Sequence, residues 1–322
     1  DEDIDGWDVL EHLGALVDKS LVQAEGDAVP RYRMLETTRL FALECLIEGG
    51  EASLARQRHR DHFLALAEDM ERHLVGSEPG RRIAALDPER DNLFLALAWS
   101  EGDDGAQRGL RLACALRSYW VSRGLLARGH EATMVALARP GAQVRDGWRC
   151  LALLAAAQQL SWTGRPADGL RLAEEALDIA RGMGDERQLC GALVTTGQVH
   201  RTLGHVDAMR QCAEEALAAG RRIGDSQELA KAIGLLAMVR EQAREYEAAQ
   251  QALEEQRALW QRLNLPFGQA VGLLNLAAIA IDRQRPQDAR SPLVEALGIL
   301  PRIDSRYVSQ NLVDVACVVA AA

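Results

Sequence analysis

Aromatic residues and lysines are scarce in this chain of 322 residues. Phe, Tyr and Trp together make up 4% of the sequence, and its lysines are Lys19 and Lys231. Ala, Leu, Arg and Glu dominate instead and β-branched residues are few, which is the composition of a mostly helical chain. The sequence therefore predicts few strands and an all-α fold.

Two further features are missing. The sequence opens without a basic and apolar leader, and no run of about eighteen apolar residues occurs, so we expect a cytoplasmic protein that does not contact a membrane. The formal net charge is −10, and no broad basic face of the kind that binds duplex nucleic acid is visible. We interpret the small basic cluster of Arg56, Arg58, His59 and Arg60 as a solvated helix face.

An internal repeat of forty residues is the most informative feature present. The segment from Cys150 to Asp185 is followed in step by the segment from Cys190 to Asp225, and looser copies begin at Ala230 and Ala270. A fixed period of this length is the signature of a solenoid, whose units are too small to bury their own apolar faces and stack on one another. Because stacked units form a long curved surface, the repeat favours a binding function.

Each unit has the pattern helix A, tight turn, helix B and second turn. In the clearest unit we predict helix A over 188–203 and helix B over 207–223, with Gly204 as the left-handed stop between them. Small residues recur at one phase of helix A, where the two helices must approach closely. They are Ala157, Gly197, Ala237 and Ala277.

The six cysteines show neither the CxxC spacing of a metal or redox site nor the density of a secreted disulfide scaffold. Cys150 and Cys190 hold the same repeat phase as Ala230 and Ala270. This phase predicts that both cysteines are small buried residues.

Three regions follow one another along the chain. Residues 1–50 are predicted to form a helix, a β-hairpin with turn residues near Gly26 and Pro30, and a further helix. Residues 51–105 are predicted to form a helical linker segment. Residues 106–322 form the repeat array, whose first unit is degenerate and whose last unit is truncated.

The repeat units resemble the tetratricopeptide repeat, in a longer form with an extended helix B. The match rests on the small helix A position, on the turn glycine, and on the string 275–277, Asn-Leu-Ala. Leu153, Leu193, Ile233 and Leu273 take the large apolar position of that family. The resemblance implies a right-handed α-solenoid of tetratricopeptide-like helix pairs.

Three strings upstream of the array, residues 13–22, 32–46 and 86–100, resemble the segment that follows the nucleotide-binding module in bacterial STAND-class signal-transduction ATPases. Many of these are LuxR- or AfsR-type transcriptional regulators. The resemblance implies that residues 1–50 are the C-terminal half of a winged-helix-like domain, and that the upstream part of such a protein is an ATPase. The chain itself has no GxxxxGK[ST] loop, so we expect that it does not bind ATP.

No constellation of catalytic residues stands out, and we expect no enzyme activity, no metal and no cofactor. His59 and His62 share a helix face, but a zinc site needs a third ligand, so a surface histidine pair is favoured. His200 and His205 bracket a turn, where a packed or groove-edge histidine is the favoured interpretation.

The concave face of the array is the candidate binding site. Tetratricopeptide arrays use helix A residues there, and the resemblance implies groove positions on successive units that hold a protein, peptide or small-molecule effector. Trp162 is the best candidate anchor because aromatic residues dominate binding hot spots. Together with Arg201 and Glu241 it suits a zwitterionic or peptide-like ligand. The predicted groove residues are Gln158, Ser161, Trp162, Gln198, Arg201, Thr202, Met238, Glu241, Gln242 and Asp282.

Two functions remain open. The favoured one is the ligand- or protein-binding sensor module of a multidomain bacterial regulator, in contact with an upstream nucleotide-binding domain. The alternative is a stand-alone tetratricopeptide scaffold for protein–protein interaction. A P-loop in the coding sequence upstream of Asp1 would distinguish them.

Overall fold

The computed structural model describes residues 6–26, 30–74, 78–224 and 226–321. The chain divides into two compact units, Asp1–Arg58 and His59–Ala322. The three-part division at residues 50 and 105 stays a prediction. Over these described ranges, each helix is too short or too polar to cross a membrane.

The first unit contains a helix, an antiparallel hairpin and a second helix, in the predicted order. Val22 pairs with Met34 at the open end of the hairpin, and Glu25 pairs with Arg31 near the turn. The elements are α1 (Gly6–Asp18), β1 (Val22–Glu25), β2 (Arg31–Met34) and α2 (Glu36–Glu48), and α3 (Ala52–Arg72) begins here and continues into the second unit.

The second unit begins with shorter, less regular helices. The degenerate first repeat is visible here, because α6 and α7 together take the place of helix A and break at Leu116. A short 3₁₀ segment, Pro140–Ala142, follows its helix B, as Pro140 and Gly141 predict. The helices are α4 (Pro79–Ala84), α5 (Arg90–Ala98), α6 (Gly102–Ala115), α7 (Arg117–Arg123) and α8 (Leu126–Ala138).

The regular array follows as alternating helices A and B, which confirms the predicted all-α solenoid of tetratricopeptide-like helix pairs. Helices A are α9 (Gly147–Trp162), α11 (Glu186–Leu203), α13 (Gln227–Gln242), α15 (Pro266–Asp282) and α17 (Arg306–Ala321). Helices B are α10 (Pro166–Met183), α12 (Val206–Ile223), α14 (Tyr246–Arg262) and α16 (Arg290–Ile303).

Side-chain caps precede several of the helices A. The carboxylate of Asp146 accepts from the backbone N–H of Arg149 at 2.9 Å, and that of Asp185 accepts from Arg187 at 2.8 Å. In the next unit the Ser226 hydroxyl accepts from Leu229 at 3.1 Å. Such caps satisfy N–H groups that have no partner within the helix, so they fix where each unit starts.

Two series of left-handed backbone conformations mark the turns of the array at the repeat period. Positive φ occurs in each turn that joins a helix A to its helix B, and from Gly184 onward the turns between units repeat the same feature. Glycine fills the early units at no steric cost, whereas later units place residues with a side chain there. The first series is Gly124, Gly164, Gly204, Arg244 and Gln284, and the second is Gly184, Gly224, Asn264 and Asp304.

The small helix A positions are fully buried, as their phase predicts. A Cβ atom built on Gly197 would lie 2.5 Å from Cδ2 of Leu235 and 3.1 Å from Cβ of Cys212, so helices of neighbouring units close on this position. Ala157, Ala237 and Ala277 are also inaccessible to solvent. Such close packing leaves little room for a larger residue.

The cysteines in repeat phase are buried in the core, which confirms that interpretation. Cys150 Sγ contacts the carbonyl of Ala176 at 3.4 Å, and Cys190 Sγ contacts that of Ala216 at the same distance one repeat later. In the unit of α13 and α14 the donor lies on helix B instead of helix A. There Gln256 donates its amide N–H to the carbonyl of Ala230 at 2.8 Å. The same junction is therefore held by a different side chain.

The interpretation of the basic cluster as a solvated helix face is wrong for one of its members. Arg60 is only 4% exposed, and its Nε donates to Asp61 Oδ1 at 2.9 Å. Its guanidinium packs against Gly105, where a Cβ atom would lie 2.9 Å from Nη1. Burial of the arginine follows from glycine at position 105, a long-range neighbour that the local charge pattern does not reveal.

Helices A form the inner layer of the array. The backbones of α9, α11 and α13 approach one another closely, as do those of α15 and α17. Consecutive helices B are bridged by long side chains instead, in the ion pairs Arg181–Glu215 at 3.0 Å and Arg257–Glu295 at 2.8 Å. The more closely spaced layer lies on the inside of a curve, so helices A line the concave face.

Candidate functional site

The predicted groove residues lie on the last turns of four consecutive helices A. Direct contacts join those of α9 to those of α11. Gln158 Nε2 donates to Gln198 Oε1 at 3.3 Å, and the Ser161 hydroxyl donates to that of Thr202 at 3.2 Å. The structure thus brings these side chains together as a continuous polar row across two units.

The row continues from α11 to α13 through Arg201. Arg201 Nη1 lies 3.5 Å from the thioether sulfur of Met238, while the arginine remains exposed to solvent. Met238 is half-buried, and Gln242 is exposed at the end of α13. A guanidinium that lies against a thioether keeps most of its hydrogen-bond donors available for a ligand.

Glu241 and Asp282 form a carboxyl pair between α13 and α15. The pKa of Glu241 is raised to about 7, chiefly by burial and next by the hydrogen bond with Asp282, while the positive charge of Arg201 acts in the opposite direction. Near neutral pH a large fraction of Glu241 therefore carries a proton, since the nearby carboxylate of Asp282 disfavours its ionisation. The row thus ends in a group whose charge depends on pH.

Trp162 contacts an aromatic residue that the sequence reasoning did not single out. Its ring centroid lies 4.9 Å from that of Tyr307 on α17, and Tyr307 lies 6.4 Å from Phe267 on α15. Trp162 nevertheless remains 39% exposed. The available signal was the repeat itself, because Phe267 and Tyr307 occupy the same phase of successive helices A.

The histidines have other surroundings. The His59 ring lies 4.6 Å from Phe63 and 4.9 Å from Trp99, and burial lowers its pKa. His200 and His205 face each other with their Nδ1 atoms 3.2 Å apart. Across the described ranges no three His, Cys, Asp or Glu side chains converge in a way that could hold a metal ion.

A separate cleft of about 300 Å³ lies among α8, α9 and α10 and contains none of the predicted groove residues. Its Arg165 and Arg171 both form ion pairs with Asp168, at 2.7 and 2.6 Å, so each arginine of this cleft already has a carboxylate partner within the chain. The lining residues are His130, Met134, Leu160, Arg165, Asp168, Arg171, Leu172 and Glu175.

Comparison with known proteins identifies regulators among the relatives. A protein of Mycobacterium tuberculosis that is named an HTH-type transcriptional regulator is 34% identical over 203 residues, which cover 61% of this chain and 23% of that protein. An uncharacterised protein of the same organism is 41% identical over 64 residues, 20% of this chain and 16% of its own length. The chain thus corresponds to about a quarter of the regulator's length, and no family model matches it.

Solved structures with similar architecture are remote in sequence. A Rap protein in complex with competence and sporulation factor has a TM-score of 0.49 at 13% identity, covering 76% of this chain and 75% of that one. A STAND protein with a tetratricopeptide repeat sensor from Pyrococcus horikoshii has a TM-score of 0.41 at 14% identity, covering 95% and 54%. Likenesses of this size say nothing about function.

Proposed function

We propose that this chain is the partner-binding arm of a larger, cytoplasmic transcriptional regulator, and that the concave face of its helices A is the binding surface. The row of polar side chains across α9, α11, α13 and α15 is the observation that carries the proposal. The relative named an HTH-type transcriptional regulator supports the regulatory context, since 61% of this chain aligns with it.

The groove residues suit a peptide-like or zwitterionic effector. Arg201 offers a guanidinium to a carboxylate, a contact that is short and directional. The Glu241–Asp282 pair, at the opposite end of the row from Trp162, carries less than two negative charges near neutral pH. It suits a cationic group of the effector. Trp162 adds exposed apolar surface beside these charges. A short peptide segment presents all three kinds of group together.

The N-terminal compact unit, Asp1–Arg58, is proposed to connect this arm to the rest of the regulator. We assign residues 1–50 to the C-terminal half of a winged-helix-like domain, 51–105 to a helical linker and 106–322 to the sensor array. Helix α2 has no buried residue, and its Phe41 and Ile47 are 66% and 56% exposed. Exposed apolar side chains of this size favour contact with another domain, here an upstream nucleotide-binding domain of the STAND class.

Peptide display on the purified chain tests the binding surface. Peptides enriched from a random library are expected to bind Arg201→Ala about ten- to a hundredfold more weakly, since a hydrogen bond to a charged group contributes about 1.5–3 kcal/mol and about 1.4 kcal/mol is a factor of ten. Arg210→Ala, which removes an exposed arginine from helix B, is the matched control. Equal affinity for the Arg201→Ala variant and the unmodified chain would contradict the proposal.

The coding sequence upstream of Asp1 tests the wider assignment. Under the STAND reading it encodes a P-loop and a Walker-type acidic strand, followed by the first half of a winged-helix domain. LuxR- or AfsR-type regulators are the group we favour. If both motifs are absent, the alternative of a stand-alone tetratricopeptide scaffold is correct.

A further inference from the structure

In the second compact unit, His59–Ala322, the last helices contact the first helices. Arg123, at the end of α7, donates from Nη1 to the carbonyl oxygen of Asp304 at 2.8 Å and to its Oδ2 at 2.9 Å. The same guanidinium donates from Nε to Oδ1 of Asp87 at 2.8 Å. Its side chain is only 12% exposed, so these three bonds form a shielded clasp between segments far apart in sequence.

Backbone fit accompanies the clasp. A Cβ atom built on Gly80, in α4, would lie 2.8 Å from Cβ of Asp304 and 2.9 Å from the carbonyl carbon of Ile303. Only glycine at position 80 therefore allows this approach. Asp304 itself has a left-handed backbone with φ of 43°, and it continues the series of turns between repeat units. The closing contact is thus built into an ordinary inter-repeat turn.

Tyr307 follows the clasp directly and lies on the concave face. It contacts Trp162 on α9 and stacks beside Phe267 on α15, so it bridges helices A that are three units apart. The charge of Arg201 also acts on its hydroxyl group. A side chain of the chain itself therefore occupies part of the surface around the predicted anchor Trp162.

We propose that Tyr307, at the start of α17, is the resident occupant of the concave face beside Trp162, and that a protein partner binds by releasing the Arg123 clasp and placing an aromatic side chain where Tyr307 now lies. This inference rests on the proposed function, because it assumes that the concave face binds a partner. The partner's chemistry follows from the residues around Tyr307. Trp162 and Phe267 receive a ring, and Arg201 receives an adjacent hydroxyl or carboxylate.

Hydrogen exchange of the full chain, followed by mass spectrometry, tests the clasp without any ligand. In Arg123→Ala we expect amides of α17 to exchange at least fivefold faster, with α11 and α12 unchanged. Asp304→Asn, which removes only the carboxylate, is expected to act in the same direction and more weakly. The control Arg145→Ala removes an arginine that forms an exposed ion pair, to Asp178, outside the closing contact. Unchanged exchange in α17, or equal acceleration in all repeats, would overturn the inference.

The peptides selected by display then test whether Tyr307 occupies part of the surface that a partner binds. They are expected to contain an aromatic residue whose replacement by Ala lowers affinity at least tenfold, and to bind Arg123→Ala at least fivefold more tightly than the unmodified chain. If they bind the Arg201 surface but gain nothing from Arg123→Ala, the resident-occupant inference fails while the proposed function stands. If α17 opens in Arg123→Ala but no peptide is enriched, the proposed function fails and the partner role of α17 fails with it.

Discussion

The carboxyl groups of Glu241 and Asp282 hydrogen-bond across two helices A, and the pKa of Glu241 is raised to about 7. Burial is the larger cause and the hydrogen bond the next. The charged groups that face Glu241 are Asp282 on α15 and Arg201 on α11. This relationship makes the charge of the concave face sensitive to pH in the physiological range.

Glu241 therefore predicts a pH dependence of stability. Its pKa is higher in the folded than in the unfolded chain, so the folded state binds the proton more tightly. Its contribution is fully present below the unfolded pKa and is lost as pH rises towards about 7. The shift of the Glu241 pKa from 4.5 to about 7 sets an upper bound of about 3.4 kcal/mol, at about 1.4 kcal/mol per pKa unit. Because the group is partly exposed, we expect Glu241→Gln to remove only about 1 kcal/mol of this dependence.

Melting temperatures between pH 5 and pH 8 measure this effect. The unmodified chain should lose more stability over this interval than Glu241→Gln does. Glu255→Gln, which removes an exposed carboxyl from α14, serves as the control and should follow the unmodified chain. A Glu241→Gln variant whose pH profile equals that of the control would show that the pair is not protonated in solution.

The left-handed turns predict opposite effects of glycine at neighbouring positions. Arg244 has φ of 59°, and relief of its strain by Arg244→Gly should exceed the added entropy of the unfolded chain, raising stability by about 0.5–1 kcal/mol. Ala243 has φ of −76°, so Ala243→Gly should lower stability by a similar amount. Urea unfolding measures both, and a stabilising Ala243→Gly would contradict the explanation.

Gly204→Ala is the converse experiment in an earlier unit. No atom lies within 4 Å of a Cβ built on Gly204, so only backbone strain at φ of 74° opposes the substitution. We expect a loss of about 1–2 kcal/mol in the free energy of unfolding. No loss would mean that the turn relaxes to a right-handed conformation.

Gly197 and Arg201 lie one turn apart on α11 and predict different outcomes. Gly197→Leu must displace Leu235 and Cys212, and overpacking of this kind costs about 1–3 kcal/mol. Arg201→Ala should change stability by less than about 0.5 kcal/mol, because the side chain is exposed.

Gly191→Leu is the matched control for the packing argument. No atom lies within 4 Å of a Cβ at Gly191, on the same helix, so a leucine there should be tolerated. Thermal unfolding compares the three variants. Equal melting temperatures for Gly197→Leu and Gly191→Leu would show that the close approach of the helices is not what requires a small residue at position 197.

The repeat period revealed much of the array because neighbouring units obey the same local rules. Positions such as Gly197 and Cys190 recur at fixed phase, and phase alone predicts which residues face the adjacent helix. The contacts of Gln158 with Gln198 and of Ser161 with Thr202 join residues about one period apart for the same reason. Contacts between residues one period apart are thus readable from the sequence.

The closing contacts were not predictable in this way. Arg123 meets Asp304 only because small rotations between successive units add up over the whole array. Each rotation depends on the volumes of all side chains at one interface, and the period carries no information about that sum. The same reason hides the contact between Trp162 and Tyr307, although the phase of Tyr307 placed it on a helix A.

Thiol reactivity provides a last prediction that concerns the whole fold. Cys45 and Cys317 are exposed, whereas Cys114, Cys150, Cys190 and Cys212 are buried. Burial raises the pKa of Cys114 and Cys150 to about 12 and that of Cys190 and Cys212 to about 11. Because the thiolate is the reactive form, a disulfide reagent at pH 7.5 should modify two thiols quickly and the others at least about a hundredfold more slowly.

Colorimetric titration counts these thiols directly. All six cysteines should react at once in urea, and two should react rapidly in native buffer. The variant with Cys45→Ser and Cys317→Ser should lose the fast phase while the slow phase persists, since the slow phase requires the helix pairs to open. A third fast thiol in the native chain would mean that one junction between helices A and B is open, and the described packing of that repeat would be wrong.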